Sequence, residues 1–214
     1  MSVRARRLAW AATAWLVAAM LALPVAAQSV DGYARMLAYL SADSRIDGEV
    51  LAAANGSLKL NQAAGDLNLQ ANLHGFATGR QAAVAVDARQ QHASEAFDNP
   101  LQASALIAGN VLAGASGIAS INQASGSGNS ELNAVLVTLA AQGIREATDE
   151  AMATSSLLAS AGGQSIAVDP RASRRLGVEA SALRGFEGVL QLNQIAGSGN
   201  ATANSISMAV QSVP

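Results

Sequence analysis

Short runs of alternating apolar and polar side chains recur three times along the chain. Leu58, Leu60 and Gln62 alternate with Ser57, Lys59 and Asn61. Ala119, Ile121 and Gln123 repeat the arrangement, as do Leu190, Leu192 and Gln194. Each run leads into a glycine-centred stretch, "AAGDL", "ASGSG" or "IAGSG". Alternation then resumes, as in Val135, Val137 and Leu139 or Ile206, Met208 and Val210. A period of two with one apolar face predicts a strand, and glycine reaches positive φ in a bend without steric cost. The pattern therefore predicts strand, arc, strand, three times over.

The polar positions repeat more faithfully than the apolar ones. Anchored on Asn61-Gln62, Asn122-Gln123 and Asn193-Gln194, glycine stands four residues on (Gly65, Gly126, Gly197) and five residues before (Gly56, Gly117, Gly188). Asparagine stands seven residues on (Asn68, Asn129, Asn200) and eleven on (Asn72, Asn133, Asn204). Between the first two copies the match extends upstream at a constant shift of 61, through Ile46 and Ile107, and Gly48 and Gly109. The third copy keeps "ALRG" upstream and reads as about five residues shorter there. These matches place repeat units at 46–78, 107–139 and 183–214. Linkers at 79–106 and 140–182 carry most of the charge, with Pro100 and Pro170.

A carboxamide inside a single arc is costly to bury, because its donor and its acceptor both need partners. Stacking a second arc at the strand spacing of about 4.8 Å lets each amide bond the like amide above and below. A slip of one residue would turn every side chain to the wrong face. Matched offsets are what such a ladder requires. The expected ladder comprises Asn61, Gln62, Asn68, Asn72, Asn122, Gln123, Asn129, Asn133, Asn193, Gln194, Asn200 and Asn204, with Gly65, Gly126 and Gly197 as arc glycines. The expected fold is mainly β: three strand-arc-strand repeats stacked as a short β-solenoid or as cross-β layers, joined by variable linkers.

The first 27 residues stand apart. Arg4, Arg6 and Arg7 precede the apolar run Leu8–Leu23, and Val25 and Ala27 fit the small-residue positions of a cleavage site. This is the pattern of a secretory signal peptide, removed after Ala27. Losing those arginines would make the remaining chain more acidic than the −2 of the whole sequence, which leaves no basic stripe for nucleic acid. In the segment 28–45, Tyr33, Met36, Leu37 and Leu40 follow helical spacing and predict a short helix. The chain holds no cysteine and is 3% aromatic. Order must therefore come from backbone pairing and close approach of small residues more than from a core of large ones.

Candidate chemistry is sparse. "GSG" at Gly126–Gly128 and Gly197–Gly199 lacks the rest of a phosphate-loop signature. His74 and His92 stand without cysteines to complete a zinc site. Glu146, Asp149 and Glu150 read as a solvated stretch, and Arg171, Arg174 and Arg175 as a small basic linker cluster. No catalytic constellation, cofactor motif, metal site or small-molecule site emerges.

The stretches "NGSLKLNQAAGDLNLQAN" and "GASGIASINQASGSGN" resemble the repeats of Fap-type functional amyloid subunits of bacterial biofilms, and more distantly those of curlins. That resemblance implies export through an outer-membrane pore and assembly with itself or with homologous repeat subunits. It implies fibres in the biofilm matrix or at the cell surface. A monomeric periplasmic accessory factor or chaperone that caps or nucleates such fibres is the alternative. The chain departs from Fap fibre subunits in lacking a C-terminal Cys-x-Cys, which leaves major subunit, minor subunit and nucleator open.

Overall fold

The computed structural model describes residues 41–80, 82–93, 99–141, 156–160 and 169–211. The expected signal peptide, the expected N-terminal helix and the Glu146–Glu150 stretch lie outside them. The described residues form eleven strands and no helix. They are β1 (Ser41–Ile46), β2 (Asn55–Ala64), β3 (Leu69–Gly79), β4 (Asp87–Gln91), β5 (Gln102–Ile107), β6 (Ser116–Ser125), β7 (Ser130–Ala140), β8 (Ser156–Ser160), β9 (Ser173–Val178), β10 (Glu187–Ala196) and β11 (Ala201–Gln211).

Every strand pairing is parallel, and strands from equivalent parts of the three units pair with one another. The sheets run β1-β5-β9, β2-β6-β10 and β3-β7-β11, with β4 and β8 forming a two-stranded fourth. The second unit lies in the middle of each three-stranded sheet. Register is strict: Asn61 pairs with Asn122 and Asn122 with Asn193, while Asn72 pairs with Asn133 and Asn133 with Asn204. Each unit is thus one layer of three strands, and the arcs stack as well. Gly126 N–H donates to Ala64 O at 2.8 Å, and Gly197 N–H to Ser125 O at 2.7 Å.

Two features differ from the sequence reading. The third unit is not shortened upstream, because a shift of 71 holds from the Gln102–Ser173 pair through to Ala140–Gln211. The agreement is hidden because Ala180 stands where the first two units have Gly48 and Gly109. The layers also contain a strand, β1, β5 or β9, on residues that, apart from Ile46 and Ile107, the repeat pattern leaves outside the units. Their sequences "SADSRI", "QASALI" and "SRRLGV" share little beyond a closing aliphatic residue. Those closing residues matter: Ile46 and Ile107 join Leu58, Ala119 and Ile121 in the buried core, with Val111, Leu112 and Ala182 from the connecting turns.

Close layer spacing explains the arc glycines. Gly126 has φ +113, and a Cβ there would lie 2.2 Å from Gly197 O. The opposite case occurs at Leu67, whose φ of 57 is shared by Gly128 (68) and Gly199 (69) in the other layers. Left-handed backbone costs a non-glycine residue about 1–2 kcal/mol, and Leu67 is 44% exposed, so it recovers little by burial. Gly126→Ala should therefore destabilise the fold by roughly 3 kcal/mol or more, strain and collision combined. Leu67→Gly should be neutral or stabilise by up to about 1 kcal/mol, since glycine's own entropy offsets part of the gain. Denaturant midpoints of the two variants check both statements.

Candidate functional site: the amide ladders

Alternation within β2, β6 and β10 sends neighbouring amides in opposite directions. Gln62, Gln123 and Gln194 face the β1-β5-β9 sheet; Asn61, Asn122 and Asn193 face β3-β7-β11. Four columns of identical amides result, and the structure brings all twelve expected residues into them.

In the glutamine column, Gln123 Nε2 donates to Gln62 Oε1 at 3.3 Å and Gln194 Nε2 to Gln123 Oε1 at 2.9 Å. The same nitrogens reach backbone carbonyls of the adjacent sheet, Leu106 O from Gln123 and Gly177 O from Gln194, both at 3.0 Å. In the first asparagine column, Asn122 Nδ2 donates to Asn61 Oδ1 and Asn193 Nδ2 to Asn122 Oδ1, each at 3.0 Å. In the column on the second arm, Asn133 donates to Asn72 at 2.9 Å and Asn204 to Asn133 at 3.1 Å. These two columns also cross-link within each layer: Asn133 Nδ2 lies 2.8 Å from Asn122 Oδ1. In the arc column, Asn129 donates to Asn68 at 2.9 Å and Asn200 to Asn129 at 3.1 Å. Asn129 also donates to Gly197 O at 2.9 Å, tying the arc to the layer above as well as the one below.

Position in the stack decides exposure. Asn122, Gln123, Asn129 and Asn133 of the middle layer are wholly buried. In the third layer, Gln194, Asn200 and Asn204 donate downwards, while their own amide oxygens accept no hydrogen bond among the described residues.

Sequence reasoning missed several partners. Ser127 Oγ accepts from Asp66 N–H, and Ser198 Oγ from Ser127 N–H, so the arc has a further column that the equal offsets of Asp66, Ser127 and Ser198 foreshadow. His74 sits between Ser57 Oγ (2.6 Å) and Ser120 Oγ (2.8 Å). Burial, with Lys59 adding to it, holds its pKa below the usual histidine value. His92 approaches Asn129 O. In the basic cluster, Arg171 pairs with Asp169 at 2.9 Å and holds that carboxyl at about 2. Arg174 is held by Asn99 Oδ1 and Leu101 O.

Truncating a buried amide strands the groups it served, at about 1–3 kcal/mol for each donor or acceptor left unmet. Asn133→Ala should therefore cost at least about 3 kcal/mol, and Asn204→Ala, in the same column of the outer layer, about 1 kcal/mol. Equal denaturant midpoints for the two variants would contradict this dependence on layer.

A family model, that of the functional amyloid protein FapB/FapC family, matches residues 22–211. No solved structure matches the chain.

Proposed function

The chain belongs to the functional amyloid protein FapB/FapC family, and from that premise we propose that it is an exported structural subunit that adds further copies of itself, or homologous subunits, to the open faces of its stack. The three units act as a short β-solenoid, and the amide ladders continue from chain to chain. The resulting fibres support the biofilm matrix and surface adhesion, after passage through the periplasm and an outer-membrane pore. The role is structural and requires no cofactor.

The observation that carries this reading is the in-register ladder with its buried middle layer. That layer is covered on both sides by near-copies of itself, whereas the first and third layers each lack one such neighbour. Continuing the same register would set Asn204 over Asn72 of the next copy and Gln194 over Gln62. Met208 would meet Phe76, and these two are 44% and 57% exposed in the single chain. Arg175 would face Asp43. Addition of this kind is the behaviour that exposed edge strands normally guard against.

Gly56 supports the same reading. Gly117 and Gly188 need to be glycine, since a Cβ at either would fall 2.2 or 2.0 Å from a carbonyl of the layer below. Gly56 holds the same kind of backbone, φ +100, with nothing within 4 Å of its Cβ position. Its free space is where the next chain's Gly188 carbonyl would come.

A capping role draws support from Arg174. Its side chain lies 3.4 Å from the Cβ position of Gly197, at the third layer, where the first two layers carry Ala42 and Ala103 in register. An inward charge on an edge strand blunts further pairing. An accessory factor would remain monomeric and delay a partner's assembly at substoichiometric amounts.

Assembly is tested by incubating the protein and recording thioflavin fluorescence and fibre diffraction, with a 4.7–4.8 Å reflection expected for parallel stacking. Lack of both signals would remove the fibre reading. Gly56→Ala should keep a folded single chain, at a cost of about 1–3 kcal/mol of backbone strain. Its seeded elongation should fall far more than that loss of stability accounts for.

A further inference from the structure

One column of the stack does not follow the amide rule. Two residues before the second-arm asparagines, the register sets Gln70 over Glu131 and Glu131 over Thr202. Glu131 lies in the middle layer and is completely buried. Gln70 Nε2 donates to its Oε2. Its other carboxyl oxygen, Oε1, is buried without a partner, and so is Thr202 Oγ1, the oxygen of its register neighbour.

An amide in such a column accepts from one layer and donates to the next, as the four ladders do. An ionised carboxylate can only accept, whereas a protonated carboxyl matches the amide in shape and carries a donor. Among the described residues, no cation compensates the site. β11 contains no ionisable residue, and the inner faces of β2 and β3 carry Lys59 and His74. His74 is engaged with Ser57 and Ser120. Asp66 lies at the arc, Arg174 beside Gly197, and Glu187 at the start of β10. Asp87 and Arg89, paired with each other at 3.5 Å, and His92 lie on the segment carrying β4. Among the described residues, Gln70 is the one side chain bonded to the Glu131 carboxyl. A buried charge with no counter-charge is disfavoured against its neutral form.

We propose that Glu131 is carried as the neutral acid in the folded stack, so that closing the middle layer takes up a proton and the stack is favoured by mild acid. Burial pushes the Glu131 carboxyl up from 4.5 to about 7, against the opposing effect of the Gln70 hydrogen bond. A carboxyl raised on folding gives stability that is full below its unfolded value, near 4.5. That stability declines through the interval and is lost above about 7. The folded-to-unfolded ratio should therefore drop roughly 50- to 100-fold between pH 5 and pH 8 from this group. His74, whose pKa folding lowers, acts in the opposite sense, its contribution falling as pH drops.

The test is the pH dependence of the denaturant midpoint of the full chain, wild type against E131Q. The amide supplies the missing donor without titrating. The acid-side advantage should therefore vanish in E131Q, leaving the opposite slope of His74, and E131Q should be the more stable protein at pH 8. An unchanged pH slope in E131Q overturns the proposal. A second measurement does not depend on the variant folding: carbon NMR of carboxyl-labelled glutamate in the folded wild type at pH 6. One glutamate resonance in the protonated range is expected, and ionised signals from every glutamate overturn the proposal.

Discussion

A primary amide removed from water must have its N–H and its C=O met, and within one arc of this chain neither Asn122 nor Gln123 could satisfy both. The remainder of the structure follows from how that demand is answered. Each amide is met by the identical amide one layer away, which fixes parallel pairing and an exact repeat of side-chain position. It also fixes a spacing so close that the arc glycines Gly65 and Gly126 admit no Cβ. The apolar core formed by Ile107, Leu112 and Ile121 adds cohesion, but aliphatic contacts tolerate sliding. Hydrogen-bonded columns do not, and they make the register unique.

That constraint explains why the three layers differ in character although their sequences are similar. The middle layer alone has like neighbours on both sides, and its polar residues are buried to a degree that would be ruinous without them. The outer layers hold most of the same residues partly exposed, Asn193 excepted, where water can supply what is missing. Exceptions to the repeat fall unevenly. Leu67 holds a left-handed backbone in the first layer where the others use glycine. Arg174 stands in the third where the others use alanine. Both occupy layers with one open side, where an imperfect residue is least costly.

The parts readable from sequence were those in which identity itself is the signal. Asn61, Asn122 and Asn193 stand at equal offsets from their glycines, and a ladder needs no other instruction. The strands β1, β5 and β9 were not legible in the same way. Their task is to close the aliphatic side of the layer, as Ile46 and Ile107 do, and many sequences do that equally well. The full length of the third unit was masked by Ala180 replacing a glycine. The column of Gln70, Glu131 and Thr202 escaped notice because its members are unlike, and its meaning depends on burial that only the stacked layers create.

All four ladders donate in one sense, from the third layer to the second and from the second to the first. Each amide carries a dipole comparable to that of a peptide unit, roughly 3.5 D, and these dipoles lie head to tail instead of cancelling. The stack is electrically polar along its axis, as a helix is, with carbonyl oxygens at one end and amide hydrogens at the other. Two such stacks meeting with like ends would bring oxygen to oxygen or hydrogen to hydrogen, so the molecule carries a direction in its side chains.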